Sequence, residues 1–188
     1  MRDGSKTRAK IVTEALRLFA EKGVAGTSIR DIAGAVGVAE AALYRHFASK
    51  DALSRSLFLD GYAKLAADIL AADQAHPRFD AKIMRIVEVF CELFDENRAL
   101  FTFLLLSQHT HLAEVPDEAD KNVVEAVRSI FAGAMQRKDI PERDADLLTA
   151  MALGIVAQPA IFTLYGRLQG PLHTRAVDLA KAILALMG

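Results

Sequence analysis

Gly23 and Gly37 constrain this chain more than any other feature. Before Gly23, residues 6–22 place Ile11, Ala15, Leu18 and Phe19 on one helical face and Lys10, Glu14, Arg17 and Glu21 off it. Gly23 then stands where a helix ends in a left-handed residue. Ser28 and Asp31 have the spacing of a capping box, so a second helix starts at Ser28. Its inward positions are Ile29, Ile32, Ala33 and Val36. Gly37 stops it and permits a sharp turn into a third helix over about residues 39–47, where Leu43 and Phe47 form an i,i+4 pair. Two short amphipathic helices joined at a glycine and braced by a longer one have the layout of a helix-turn-helix, which lays its second helix in the major groove of DNA.

The residues around that turn carry matching chemistry. Tyr44, Arg45, His46 and Lys50 cluster at the end of the third helix, a set suited to facing an anion. Residues 1–55 hold 10 Lys+Arg and 6 Asp+Glu, whereas the remainder holds 13 and 18. A basic head on an acidic body concentrates phosphate attraction at one end, although the formal net charge is only -1. An apolar content of 52% argues against a disordered chain. Cys91 is the only cysteine, so no intrachain disulfide forms. The opening MRDGSKTRAK has no apolar signal-peptide core, and the apolar run at 104–106 with its flanks is far too short to span a bilayer. The expectation is a soluble cytoplasmic protein with no membrane partner.

The rest of the chain also reads as helix. Ser49 can cap a helix running to about Ala71 through Leu53, Leu57, Tyr62, Leu65 and Ile69. Pro77 marks a boundary, after which residues 80–94 resume helical spacing through Ile83, Val87, Phe90 and Phe94. Residues 100–106 could be a strand by periodicity alone, but their helical neighbours favour a buried helix. A loop or broken helix at 109–120 precedes a helix over 120–136, with Val123, Val127, Ile130, Phe131 and Ala134 inward. Residues 142–168 form a long helix with a kink or an end near Gln158, because Pro159 lacks a donor and clashes with the preceding turn. Gly170 and Pro171 make a turn before a last helix over 172–187. No span alternates as a sheet protein would. The expected fold is therefore all-α, with a helix-turn-helix domain over residues 1–52 and a helical effector-binding and dimerisation domain over 53–188.

Three stretches, IVTEALRLFAEKG, TSIRDIAGAVGV and ALYRHFASKDAL, closely resemble the N-terminal domain of the TetR family of bacterial transcription regulators. The resemblance covers roughly residues 7–54 and is most specific at LYRHFASK. It implies an all-helical homodimer with paired DNA-binding heads and a variable C-terminal domain that holds an effector pocket. It also implies that Thr27 and Ser28 meet backbone phosphate and that Arg30 projects toward the groove. Glu40, Ala41 and Ala42 would open the recognition helix, Tyr44 and His46 would touch phosphate, and Lys50 would anchor the backbone. Physics supports such roles: hydroxyls and helix N-termini donate to phosphate, and an arginine can bind guanine bidentately. Arg45 could do either job. The chain departs from the family at Ala39, where relatives carry a capping Ser or Thr. It also departs at Glu40, which could accept from cytosine N4 or simply complement the helix dipole.

For the body, an effector site should combine apolar walls with a few polar groups. The candidates are Ile86, Phe90, Phe101, Leu105, Phe131, Met135 and Phe162, with Asn97, Gln108, His109, His111, Gln158 and Tyr165 as the polar members. His109 and His111 fall on opposite sides of a helix, so no metal site is expected. No nucleophile–base pair, phosphate cradle or metalloprotease motif appears, so neither catalysis nor a cofactor is expected. Apolar rows at Leu147, Leu148, Met151, Ile155, Ile161 and Leu168, and at Val177, Ala180, Ile183, Leu184 and Met187, exceed what one chain would bury. Two such helices from each of two chains would cover them in a four-helix bundle. The expected partners are double-stranded operator DNA, a second copy of the chain and a small apolar or aromatic effector. The leading reading is a repressor released by that effector. The alternatives are an activator, a regulator without a ligand, and a helical binding module whose DNA head is degenerate.

Overall fold

The computed structural model describes residues 2–187, and of Arg2 and Asp3 the backbone only. Nine α-helices account for most of them: α1 Arg2–Lys22, α2 Ile29–Val36, α3 Glu40–Tyr44, α4 Lys50–Ala75, α5 Phe79–Glu96, α6 Arg98–His111, α7 Val123–Gln136, α8 Ala145–Leu164 and α9 Ala176–Ala185. Short 3-10 turns follow α6 at Leu112–Glu114 and precede α9 at Leu172–Arg175. Among the described residues there is no strand, as expected of an all-α chain.

The helices divide into two compact units, one of Met1–Gly61 with Arg98–Val115 and one of Tyr62–Asn97 with Pro116–Gly188. In the first, α1 packs on α2 and α6, and α2 packs on α3. Its core is Ile11, Phe19, Ile32, Leu43, Leu53, Phe58 and Phe103, each almost or wholly removed from water. Phe19 and Phe103 stack with ring centroids 5.6 Å apart. Helix α6 therefore stands with the head, which sequence pattern alone did not reveal. The 24–27 turn between α1 and α2 is tight. A Cβ at Gly26 would collide with the carbonyl of Lys22, so only glycine fits there.

In the second unit α5 packs against α9, and α8 against α5, α7 and α9. Ile83, Val87, Phe94, Ala126, Phe131, Leu148, Val156, Leu172 and Ile183 fill its core. The buried ammonium of Lys82 on α5 pairs with Asp73 on α4 at 2.6 Å. Asn122, whose side chain accepts from the N–H groups of Val124 and Glu125, sets the start of α7 two to three residues later than the pattern suggests. Helix α8 continues past Pro159 to Leu164 rather than ending near Gln158. By length and mean hydropathy, 1.9, it alone among the described helices would suit a bilayer. Its packing on three helices marks it as a bundle helix with one apolar side left uncovered.

Candidate nucleic-acid interface

The head is organised by its caps. Ser28 sits in extended backbone, and its hydroxyl accepts from the N–H of Asp31 at 3.1 Å. The Asp31 carboxylate accepts in return from the Ser28 N–H at 2.8 Å and from the hydroxyl at 2.6 Å. The Ser28 hydroxyl first, and then its backbone N–H, hold Asp31 below the usual carboxylate range. Gly37 takes the left-handed conformation, φ 78°, and its N–H closes back on Ala33 and Gly34. Helix α3 then starts without a side-chain cap at Ala39 and lasts only Glu40–Tyr44, ending short of the expected Phe47. Phe47 is nonetheless buried, with the Arg8 guanidinium of α1 over its ring at 5.3 Å.

On this scaffold some of the anticipated DNA-facing side chains are exposed and others are engaged within the head. Arg30 on α2, Glu40 and Ala41 at the start of α3, and Tyr44 and Arg45 at its end are exposed, Tyr44 by 53%. His46 is half-buried and Ser28 is exposed, though its hydroxyl is engaged with Asp31. Ala42 is buried beside Leu43. Thr27 is 2% exposed, and its hydroxyl donates inward to the carbonyls of Gly23 at 2.9 Å and Leu18 at 3.3 Å. The Lys50 ammonium donates to the carbonyls of Val24 at 2.7 Å and Thr27 at 2.9 Å. It ties the start of α4 to the loop that launches α2. Its partners lie 26 and 23 residues away, out of reach of any local pattern.

These three helices coincide with a family match. The profile described as bacterial regulatory proteins, tetR family, matches residues 11–57. Residues 11–57 carry the N-terminal domain of that family. The transcriptional regulator TtgR of Pseudomonas putida is similar over more of the chain, 29% identical across 155 residues that span 77% of this chain and 73% of its own. Among solved structures, the TetR regulator PfmR from Thermus thermophilus shares the fold with a TM-score of 0.77 at 24% identity, covering 93% of this chain and 97% of its own. The regulator FadR from Bacillus subtilis, solved in complex with stearoyl-CoA, shares it with a TM-score of 0.77 at 16% identity, covering 95% and 98%.

The second unit holds a narrow enclosed space. A cavity of about 20 Å³ lies between α5, α7, α8 and α9, lined by hydrocarbon from Ile86, Phe90, Val127, Phe131, Ala152 and Val156, among others. Of the effector residues anticipated from sequence, it gathers Ile86, Phe90 and Phe131. Phe101, Leu105, Gln108 and His109 lie on α6 in the first unit. Met135 spends its sulfur on the Arg143 N–H at 3.2 Å. Gln158, Phe162 and Tyr165 are exposed or half-exposed, Phe162 by 44% and Tyr165 by 73%. His109 is exposed while His111, two residues on, is buried. Among the described residues no cluster suited to a metal ion forms.

Proposed function

We propose that the chain is a homodimeric, sequence-specific repressor that acts on operator DNA in the cytoplasm and is released by a small apolar effector. The observation that carries DNA reading is the exposed set Arg30, Glu40, Ala41, Tyr44 and Arg45 on a capped three-helix head within the family-matched segment. Arg30 and the opening of α3 read bases, while Tyr44, Arg45 and the half-exposed His46 meet phosphate. Dimerisation is supported by the uncovered apolar side chains of α8 and α9. Leu147 is 56% exposed, Phe162 44% and Val177 51%, more than solitary surface hydrophobes explain.

The hydrocarbon lining of the second unit favours a ligand with an acyl chain or apolar ring. A cavity of about 20 Å³ holds little more than one water, so such a ligand must part the helices around it. That opening is the differential interaction a release switch requires. The same narrowness favours a second reading, a regulator that works without a ligand. Selection of bound duplexes from random DNA, followed by titration of stearoyl-CoA against the selected operator, separates these readings. Selection of two related half-sites and loss of binding with ligand supports the first. Operator binding that stearoyl-CoA and shorter apolar ligands leave unchanged supports the second. Absence of any enriched sequence removes both.

A further inference from the structure

His111 closes a polar ring inside the first unit. Its Nε2 lies 3.0 Å from the Ser54 hydroxyl, and its Nδ1 lies 3.3 Å from the Glu114 carboxylate. Glu114 in turn binds the guanidinium of Arg55, the residue after Ser54 on α4. Arg55 first, and His111 after it, hold Glu114 below the usual carboxylate range, so it only accepts. Nδ1 therefore donates toward Glu114, and Nε2 shares the other hydrogen bond with the Ser54 hydroxyl. Ser54 is 1% exposed and His111 6%, and the imidazole packs on Phe58 at 5.4 Å between centroids. Two hydrogen-bonded groups taken this far out of water cost much if either loses its partner.

The ring sits one turn beyond Lys50 on the same helix. Lys50 holds the Val24 and Thr27 carbonyls, and the next residue, Ser28, caps α2. Val24 also lines the cavity of about 340 Å³ beside His111, together with Asp51, Ser107 and Thr110. A continuous run of hydrogen bonds and helix thus leads from the end of α6, through α4, to the start of α2. The geometry points to His111 as a positioning residue for DNA binding: it fixes the first turns of α4, and through the Lys50 tie it fixes the α2 N-terminus that carries Arg30. This inference rests on the DNA-reading function proposed above.

The test compares wild type with His111→Ala, Ser54→Ala and the double variant, and with His111→Gln, whose amide keeps a bond to Ser54. Each is measured folded, well below its unfolding temperature. Hydrogen exchange at the amides of residues 24–31 reports the tie without DNA, and fluorescence anisotropy reports operator affinity. Expected are faster exchange at 24–31 in both single alanine variants and operator binding weaker by about tenfold, the scale of one buried hydrogen bond. The double variant should lose no more than the worse single one, and His111→Gln should recover part of both losses. Unchanged exchange at 24–31 in folded His111→Ala overturns the inference, as does faster exchange with unchanged operator affinity. Faster exchange in a protein whose wild type selects no operator confirms the tie to α2 and rejects the DNA-reading function instead.

Discussion

Asp95, near the end of α5, holds the 3-10 turn before α9 through His173. The carboxylate lies 2.8 Å from His173 Nδ1 and accepts the backbone N–H groups of His173 at 2.9 Å and Leu172 at 2.8 Å. Leu172 is wholly buried, so its N–H has no water to turn to. One side chain thereby fixes the approach to the last helix.

The first prediction concerns acid stability. Burial opposes ionisation of Asp95, but the two backbone donors and His173 outweigh it and hold the carboxyl below its ordinary value of 3.8. A depressed carboxylate stabilises the fold above the unfolded value and loses that contribution as pH falls through the folded one. Asp95→Asn should therefore flatten the acid limb below about pH 4 in urea unfolding followed by circular dichroism. Asp95→Ala should cost about 1–3 kcal/mol at neutral pH, since it strands a buried N–H.

A second prediction uses the bare start of α3. Ala39 has extended backbone, φ -70° and ψ 148°, which suits a capping hydroxyl, but it offers none. Ala39→Ser should stabilise the head by about 0.5–2 kcal/mol, and Ser28→Ala should destabilise it by a similar amount. Thermal unfolding of both variants checks the pair. An unchanged midpoint for Ala39→Ser would show that α3 is held by Leu43 and Phe47 alone.

The third prediction addresses the uncovered face of α8 and α9. Replacing Leu147 or Val177 by a charged residue should yield a folded monomer in sedimentation at low micromolar concentration. Operator binding should fall with it, because one head reads only one half-site. A dimer that survives both changes places the interface elsewhere.

Cys91 supplies a fourth. Burial first, and the nearby carboxylates of Asp95, Glu88 and Glu92 after it, push its thiol up to about 12. The thiolate is the reactive species, so iodoacetamide at pH 8 should leave the native protein unmodified and label it promptly in urea. Labelling in buffer would show that α5 opens locally on the timescale of the reagent.

Much of the head was legible because its determinants are local. The Ser28–Asp31 box, the stop at Gly37 and the Leu43–Phe47 anchor act within a few residues, and the structure carries all three. What escaped depends on distant partners. Nothing in TSIRD says that Thr27 points inward to Leu18, and nothing near Lys50 says that its ammonium serves Val24. The membership of α6 in the first unit rests on contacts such as Phe19 with Phe103, far apart in sequence. In the body, periodicity marked which residues are apolar but not which share a cavity, so Phe90 and Phe131 meet there while Phe101 and Phe162 lie elsewhere. Pro159 did not end its helix, because packing on three neighbours outweighs one missing donor.

The uncovered sides of α8 and α9 have a consequence for gene control. If only a second copy hides Leu147, Phe162 and Val177, the species competent to grip an operator forms in proportion to the square of the free chain concentration wherever monomers prevail. Occupancy then rises as a threshold rather than in proportion to synthesis. Modest dilution during growth would empty the operator well before the chains themselves ran out.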